Sequence, residues 1–170
     1  PPFRAAPALA VGCTVVLKPA EATPLTALAL VELATRAGLP PGALNLVAGD
    51  APGIGAALLA SPAVRKLGFT GSTAVGKLLY AGCAPTVKRL SLELGGNAAA
   101  LVFADADVEA AAASIAASAF RNAGQTCISA SRVLVAAPLV GALGAALAAR
   151  AGRVRVGRGC EARTGMGPLI

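Results

Sequence analysis

Short apolar runs alternate with helix-like segments over the first half of the chain. Four runs have the length of a buried strand: 13–17, 42–50, 64–71 and 87–96. Three segments between them resemble helices: 22–38, 53–61 and 72–82. In the first helix we expect Thr23 as the N-cap, Pro24 at the first helical position and Gly38 at the end. Strands alternating with helices predict an α/β fold with a parallel sheet.

The pattern changes after Gly96. A strand at 98–103 precedes a long helix at 105–120, with Asp105 or Asp107 near its start. The loop 121–127, a strand at 131–137 and a helix at 138–150 without a polar face follow. We place a domain boundary near 94–96, which divides the chain into residues 1–94 and 95–170.

Composition limits the class of protein. Apolar residues make up 56% of the 170 positions and aromatic residues only 3%. The longest uncharged run, 133–149, is interrupted by Pro138 and two glycines, whereas a spanning helix needs roughly 20 strongly apolar residues. No basic segment followed by an apolar run opens the chain. We expect no membrane span, and we see no signal peptide.

Charge is concentrated near the end of the chain, and the net charge is +7. Five arginines lie there: Arg150, Arg153, Arg155, Arg158 and Arg163. A nucleic-acid surface would be expected to interleave such residues with aromatics, and this tail has none. We therefore predict a solvated strand and loop, and no nucleic-acid partner.

Four cysteines occur at wide spacing: Cys13, Cys83, Cys127 and Cys160. No pair has the CxxC spacing and the chain has no histidine, so we expect no metal site. Wide spacing in a chain rich enough to form a core predicts reduced thiols in an intracellular compartment.

Residues Gly71 to Lys77 match the pattern GxxxxGK, where a strand leads into a helix. The N–H groups at such a helix start bind anions, and Ser72 adds a hydroxyl. Leu78 stands where a nucleotide-binding P-loop needs Ser or Thr to hold magnesium. The alternative is a helix that Ser72 caps without any ligand.

Lys18 and Glu21 follow the first strand, on the sheet edge where parallel α/β folds bind ligands. They could bind ribose hydroxyls, or they could form a surface salt bridge. In the fourth strand, Leu90, Leu92 and Leu94 share one face and Glu93 points to the other. Glu93 is either a desolvated general base or part of an exposed strand face.

Cys127 follows a Gly-Gln-Thr segment in the loop after the long helix. Free cysteine is often a core residue. A loop with free N–H groups could instead stabilise a thiolate and an oxyanion. The residues around Cys127 leave both interpretations open.

Four segments in this order, "VLKPAE", "FTGST", "LELGG" and "GQTC", resemble the aldehyde dehydrogenase superfamily over essentially the whole chain. "VKRLSLELGGNA" and "FRNAGQTC" look most like its succinate-semialdehyde branch. The resemblance implies a Rossmann-type sheet in residues 1–94, as part of an NAD-binding domain. Residues 95–170 would then form part of the catalytic domain.

The resemblance also implies roles for these residues. Cys127 would be the nucleophile and Glu93 the general base. Three further residues, Gly71, Ser72 and Leu94, would contact the cofactor.

Lys18 and Glu21 would hold the adenosine ribose. The charge of Glu21 favours NAD over NADP, because it would repel a 2′-phosphate.

Arg121, six residues before Cys127, would bind the carboxylate of the substrate, for which a guanidinium fork is suited. A surface arginine is the alternative. A second arginine of the branch aligns with Phe3, and Arg4 is one residue away. Ser129 stands where some members carry a second cysteine, so we expect no disulfide switch.

The sequence thus predicts a central part of an NAD-dependent enzyme that oxidises succinate semialdehyde to succinate. The family's oxyanion asparagine and its second ribose-binding carboxylate have no counterpart in the chain, so we expect the 170 residues to be inactive alone. The parent enzyme is expected to be a homo-oligomer, a dimer or tetramer. Its expected compartment is the mitochondrial matrix in a eukaryote or the cytoplasm in a bacterium.

An aldehyde dehydrogenase with another substrate, a P-loop nucleotide binder and a non-catalytic fragment remain as alternatives.

Overall fold

A computed structural model describes residues 2–170, with side chains from residue 4 onward, so the side chain of Phe3 lies outside the described residues. The chain forms two compact units, Pro1–Glu93 and Leu94–Ile170. Each has an α/β composition, as the alternation of patterns predicts.

The first unit contains four helices and four strands among its described residues. In chain order they are α1 (Pro2–Ala10), β1 (Val15–Leu17), α2 (Leu25–Arg36), β2 (Leu44–Leu46), α3 (Ala51–Ala60), β3 (Lys66–Gly71), α4 (Thr73–Cys83) and β4 (Arg89–Leu94). Helix α1 was not predicted, because Pro7 lies inside it and proline usually interrupts a helix.

The strands pair two by two. β1 and β2 are parallel, with Val15 opposite Leu44 and Leu17 opposite Leu46, and β3 pairs with β4. The parallel direction of the first pair agrees with the prediction. Among residues 2–170, the hydrogen-bonded strands form three separate pairs rather than one continuous sheet.

Helix starts in the first unit follow the polar residues that precede them. Asp50 caps α3 by accepting a hydrogen bond from the Gly53 N–H at 2.6 Å. At α2 the structure differs by one residue from the prediction: the helix begins at Leu25 after Pro24, and no side chain caps it. Gly38 follows the helix end with φ +88°, a value that favours glycine.

Lys88 is a buried cation in the first unit, only 8% exposed. Its ammonium group donates to the carbonyl of Ser61 at 2.6 Å and to that of Val64 at 2.8 Å. These bonds offset the cost of burying the charge. They also fasten the start of β4 to the segment that follows α3.

The second unit is built on two parallel strands and two helices: β5 (Ala98–Val102), α5 (Val108–Phe120), β6 (Ala130–Val135) and α6 (Val140–Ala151). Asp107, not Asp105, caps α5, and accepts from the Ala110 N–H at 3.0 Å. The core comprises Val102, Ala112, Ile115, Leu143 and Ala146. The helix predicted at 138–150 is thus present.

Among residues 2–170, no helix is long and apolar enough to cross a membrane. Over the same described part of the chain, no cluster of three or more potential metal-ligating His, Cys, Asp or Glu side chains occurs.

Candidate active site

Cys127 is exposed, on a tight turn between α5 and β6. The turn runs from Thr126 to Ser129 and is closed by a hydrogen bond from the Ser129 N–H to the Thr126 carbonyl at 3.1 Å. The side-chain hydroxyls of these two residues also contact each other. A buried structural role for Cys127 is therefore excluded in this chain, and its thiol is accessible.

The backbone just before this turn is strained. Asn122, Ala123 and Gly124 have φ values of +52°, +56° and +74°. The Gln125 N–H donates to the Asn122 carbonyl at 3.1 Å, and the Asn122 side chain donates to the Gln125 carbonyl at 3.3 Å. Left-handed residues other than glycine are costly, and they cluster at functional sites. The segment predicted as a plain loop is a left-handed turn that positions the cysteine.

Further contacts hold the cysteine turn in place. The Ser118 hydroxyl, on α5, accepts from the Ala130 N–H at 3.1 Å and reaches the Ile128 carbonyl at 3.5 Å. The Gln125 side-chain oxygen accepts from the Ile170 N–H at 3.1 Å. Ser118 was not predicted, because a serine inside an alanine-rich helix gives no sign of a distant partner.

Arg121 lies directly after α5 and is exposed. It lines a small cavity together with Ala117, Ser118, Thr126 and Ile128. Thr126 and Ile128 are the chain neighbours of Cys127, so the structure brings Arg121 beside the cysteine turn.

Glu93 lies near the end of β4, and its side chain is 63% exposed. Of the two settings left open for it, the structure shows the exposed face rather than the desolvated one. The Glu93 carboxylate lies 3.9 Å from Nη2 of Arg4. Arg4 also donates to the Ser91 carbonyl at 3.5 Å. Leu94, the next residue, is half-buried.

Gly71 and Ser72 lie where β3 passes into α4. The Ser72 hydroxyl accepts from the Val75 N–H at 3.3 Å, so Ser72 caps the helix, a feature that the sequence suggested. A side chain at Gly71 would require the ring of Phe69 to move. The helix start has the geometry of an anion site.

Lys18 and Glu21 form an ion pair after β1. The hydrogen bond from the Lys18 ammonium lowers the pKa of Glu21 below its usual value. The salt bridge that the sequence suggested as an alternative is thus present. It does not exclude ligand binding, because both side chains keep free hydrogen-bonding capacity.

The first unit therefore holds Lys18, Glu21, Gly71, Ser72 and Glu93, and the second holds Leu94, Arg121 and Cys127.

Comparison with known proteins gives the same picture over nearly the whole chain. Residues 2–170 match the model of the aldehyde dehydrogenase family. The mitochondrial succinate-semialdehyde dehydrogenase of Arabidopsis thaliana is 58% identical over 98% of this chain and 32% of its own length. Glutarate-semialdehyde dehydrogenase of Pseudomonas putida is 50% identical over 98% of this chain and 35% of its own length.

A crystal structure of an E. coli NADP-dependent enzyme superposes with a TM-score of 0.96 at 49% identity. The superposition covers 98% of this chain and 35% of the E. coli chain. The chain thus spans about a third of the length of the curated relatives it matches. The match to the family model extends over nearly all residues, and on that basis the chain belongs to the aldehyde dehydrogenase family.

Proposed function

We propose that this chain carries the catalytic cysteine and part of the cofactor site of an enzyme that oxidises succinate semialdehyde to succinate with NAD⁺. The observation that supports this best is the exposed Cys127 on a hydrogen-bonded turn, with Arg121 lining the cavity beside it. A nucleophile next to a cation suits an aldehyde that also carries a carboxylate.

In the proposed reaction, the Cys127 thiolate attacks the aldehyde carbon and forms a thiohemiacetal. Loss of hydride from that carbon leaves a thioester on the sulfur. Water then adds to the thioester carbon, the C–S bond breaks, and the carboxylic acid and the thiol are released. The strained turn before Cys127 favours this chemistry, because it fixes the sulfur without relying on a flexible loop.

Glu93 is proposed to take a proton from the thiol or from the attacking water. A carboxylate can do this in a chain without histidine. Glu93 is 63% exposed here and lies 3.9 Å from Arg4. Glu93 is therefore proposed to act as a base without being buried within its own unit. Proton transfer through one water molecule is compatible with this exposure.

The residues of the first unit fit a nicotinamide dinucleotide. Ser72 and the start of α4 offer donors to a pyrophosphate, and the Lys18–Glu21 pair offers a donor and an acceptor to ribose hydroxyls. When bound, the cofactor supplies a nicotinamide ring that accepts the hydride. Gly71, at the end of β3, is proposed to contact the cofactor, and Leu94 is proposed to border the nicotinamide.

A chimera tests the proposal. Residues 4–170 of this chain replace the aligned segment of the Arabidopsis relative, so that Cys127, Glu93 and Arg121 become the residues under test. We expect steady-state NADH formation from succinate semialdehyde. A soluble, folded chimera without NADH formation would contradict the proposal.

Variants of the chimera separate the roles. Cys127→Ser should lower kcat by about 10³-fold or more. Glu93→Gln should lower it by about 10²- to 10⁴-fold, the usual contribution of a general base. Arg158→Gln, in the tail, serves as a control without expected effect.

Arg121→Ala should reduce kcat/KM by about 10- to 100-fold for aldehydes with a carboxylate, because a charged hydrogen bond is lost. Neutral aldehydes of similar length should lose much less. An equal loss for acidic and neutral aldehydes would rule out a substrate-carboxylate role for Arg121.

The choice of NAD follows from Glu21, whose negative charge disfavours a 2′-phosphate. Its ion pair with Lys18 reduces this repulsion without removing it. Glu21→Gln in the chimera should raise kcat/KM for NADP⁺ relative to NAD⁺. An unchanged ratio would mean that Glu21 does not determine the choice between NAD⁺ and NADP⁺.

Glutarate semialdehyde is the second candidate substrate, because the Pseudomonas putida relative carries that name. It differs from succinate semialdehyde by one methylene, and a pocket distinguishes one methylene by only about 10- to 200-fold. Comparing kcat/KM for the two aldehydes in the chimera decides between them.

The proposal extends to compartment and assembly. The name of the Arabidopsis relative is consistent with the mitochondrial matrix as one of the two expected compartments. The longer enzyme is proposed to be a homo-oligomer.

A further inference from the structure

Five arginines converge on one cavity of the second unit, and only one of them was assigned a role above. The cavity has a volume of about 460 Å³ and lies between the ends of α5 and α6 and the segment after α6. Its arginines are Arg121, Arg150, Arg153, Arg155 and Arg163. Four of the five belong to the tail that the sequence predicted to be a solvated strand and loop.

The fold of the tail explains this convergence. Val156 bridges Met166 in a parallel arrangement, and the N–H groups of Gly165 and Met166 both donate to the Arg155 carbonyl. These bonds fold the tail back on itself. They bring Arg163 to the same cavity as Arg153 and Arg155.

Little negative charge opposes these guanidinium groups. Arg150 pairs with Glu109 at 3.0 Å and also donates to the Glu109 carbonyl at 3.2 Å. Within the described part of the chain, no salt bridge involves Arg121, Arg153 or Arg163. Arg155 also forms no salt bridge within the described residues. Like charges that line one cavity repel each other, so they favour binding of an anion.

An anion removes that repulsion. Guanidinium groups bind carboxylates and phosphates through paired N–H donors. The volume is in the range of small-molecule sites, about 300–1,000 Å³. The half-buried side chains of Phe120 and Val154 complete the lining with apolar surface.

We propose that this cavity binds a small anion with at least two negative charges, carried by carboxylate or phosphate groups. Several uncompensated guanidiniums favour a multiply charged ligand over a single carboxylate. The site shares Arg121 with the proposed substrate site, but Arg153, Arg155 and Arg163 have no part in the proposed dehydrogenase chemistry.

Protection from an arginine reagent tests the site on the full 170-residue chain. Phenylglyoxal labelling is followed peptide by peptide by mass spectrometry, with and without citrate or inorganic phosphate at constant ionic strength. We expect labelling of Arg153 and Arg163 to slow at least severalfold with the anion. Arg158 belongs to the same tail but does not line the cavity, so its labelling should be unchanged.

Binding to variants provides the second measurement. Citrate and phosphate titrations by calorimetry should give a Kd that rises about tenfold or more in the double variant Arg153→Gln and Arg163→Gln. Arg158→Gln, the matched control, should leave the Kd unchanged. Citrate and phosphate arms show whether carboxylates or phosphates are preferred, and acetate, a monoanion, should bind much more weakly.

Equal labelling of all tail arginines with and without both anions would overturn the proposal, including the case in which the chain does not fold. So would equal affinity of the Arg158→Gln and double variants. Equal affinity for acetate and for citrate would also contradict a multiply charged ligand.

Discussion

At the residue scale, Ala123 shows that the cysteine turn contains backbone strain. It has a φ of +56° between Asn122 and Gly124, which also have positive φ values. Glycine occupies that region freely and asparagine tolerates it, but alanine does not. Nothing at Ala123 itself indicates this, since Asn122 and Gly124 are the residues of the segment that favour left-handed backbone.

Ala123→Gly should therefore stabilise the chain by about 0.5–1 kcal/mol, because relief of strain outweighs the added freedom of the unfolded chain. Chemical denaturation monitored by circular dichroism measures the effect. Ala145→Gly, at an exposed interior position of α6, should destabilise by about 1 kcal/mol. A loss of stability at Ala123 comparable to that at Ala145 would contradict the strained turn.

The Lys18–Glu21 pair predicts a local pH dependence. The hydrogen bond from Lys18 lowers the pKa of Glu21. The pair's contribution to folding stability is therefore fully present above about pH 4.3, the usual glutamate pKa. It is lost as the pH falls through the lower folded value. NMR titration should show the Glu21 pKa rising toward the usual value in Lys18→Met. Arg36→Met, which removes the Glu32 ion pair, should leave the Glu21 titration unchanged.

At the element scale, helix starts are where sequence signals and structure agree best. Ser72 caps α4 and Asp107 caps α5, each by accepting an N–H three residues on. Such caps are local, so a short stretch of sequence determines them. At α5 the sequence offered two aspartates, and only the structure selects Asp107.

Asp107→Ala should lower the free energy of unfolding by about 0.5–2 kcal/mol, through loss of the cap. The neighbouring Asp105→Ala makes the same change of charge without removing a cap, and it should cost little. Urea denaturation compares the two variants. Equal destabilisation would point to charge rather than capping as the cause.

At the scale of the whole molecule, apolar side chains remain exposed on paired strands. Leu101 on β5 and Leu134 on β6 are opposite each other in the register, and both are more than half exposed. Phe103 follows β5 and is also exposed. Contiguous apolar surface of this kind favours self-association.

The 170-residue chain should therefore self-associate at micromolar concentration. Sedimentation velocity should show Leu101→Lys with Leu134→Lys shifting the distribution toward monomer, because charge on the strands opposes association. Val11→Lys, at an exposed position of the other unit, is the control. Equal distributions for both variants would exclude this strand pair as the associating surface.

The sequence by itself determined the order of strands and helices from β1 onward, the α/β class and the identity of Cys127 and Glu93 as candidates. Periodicity, caps and short motifs are local, so they can be recognised in the sequence without knowledge of the fold. Only the tertiary structure decided that Cys127 and Glu93 are exposed, that Ala123 is left-handed and that the tail arginines share a cavity with Arg121. Those features depend on contacts between residues far apart in the chain, such as Ser118 with Ala130 and Gln125 with Ile170, which no local pattern encodes.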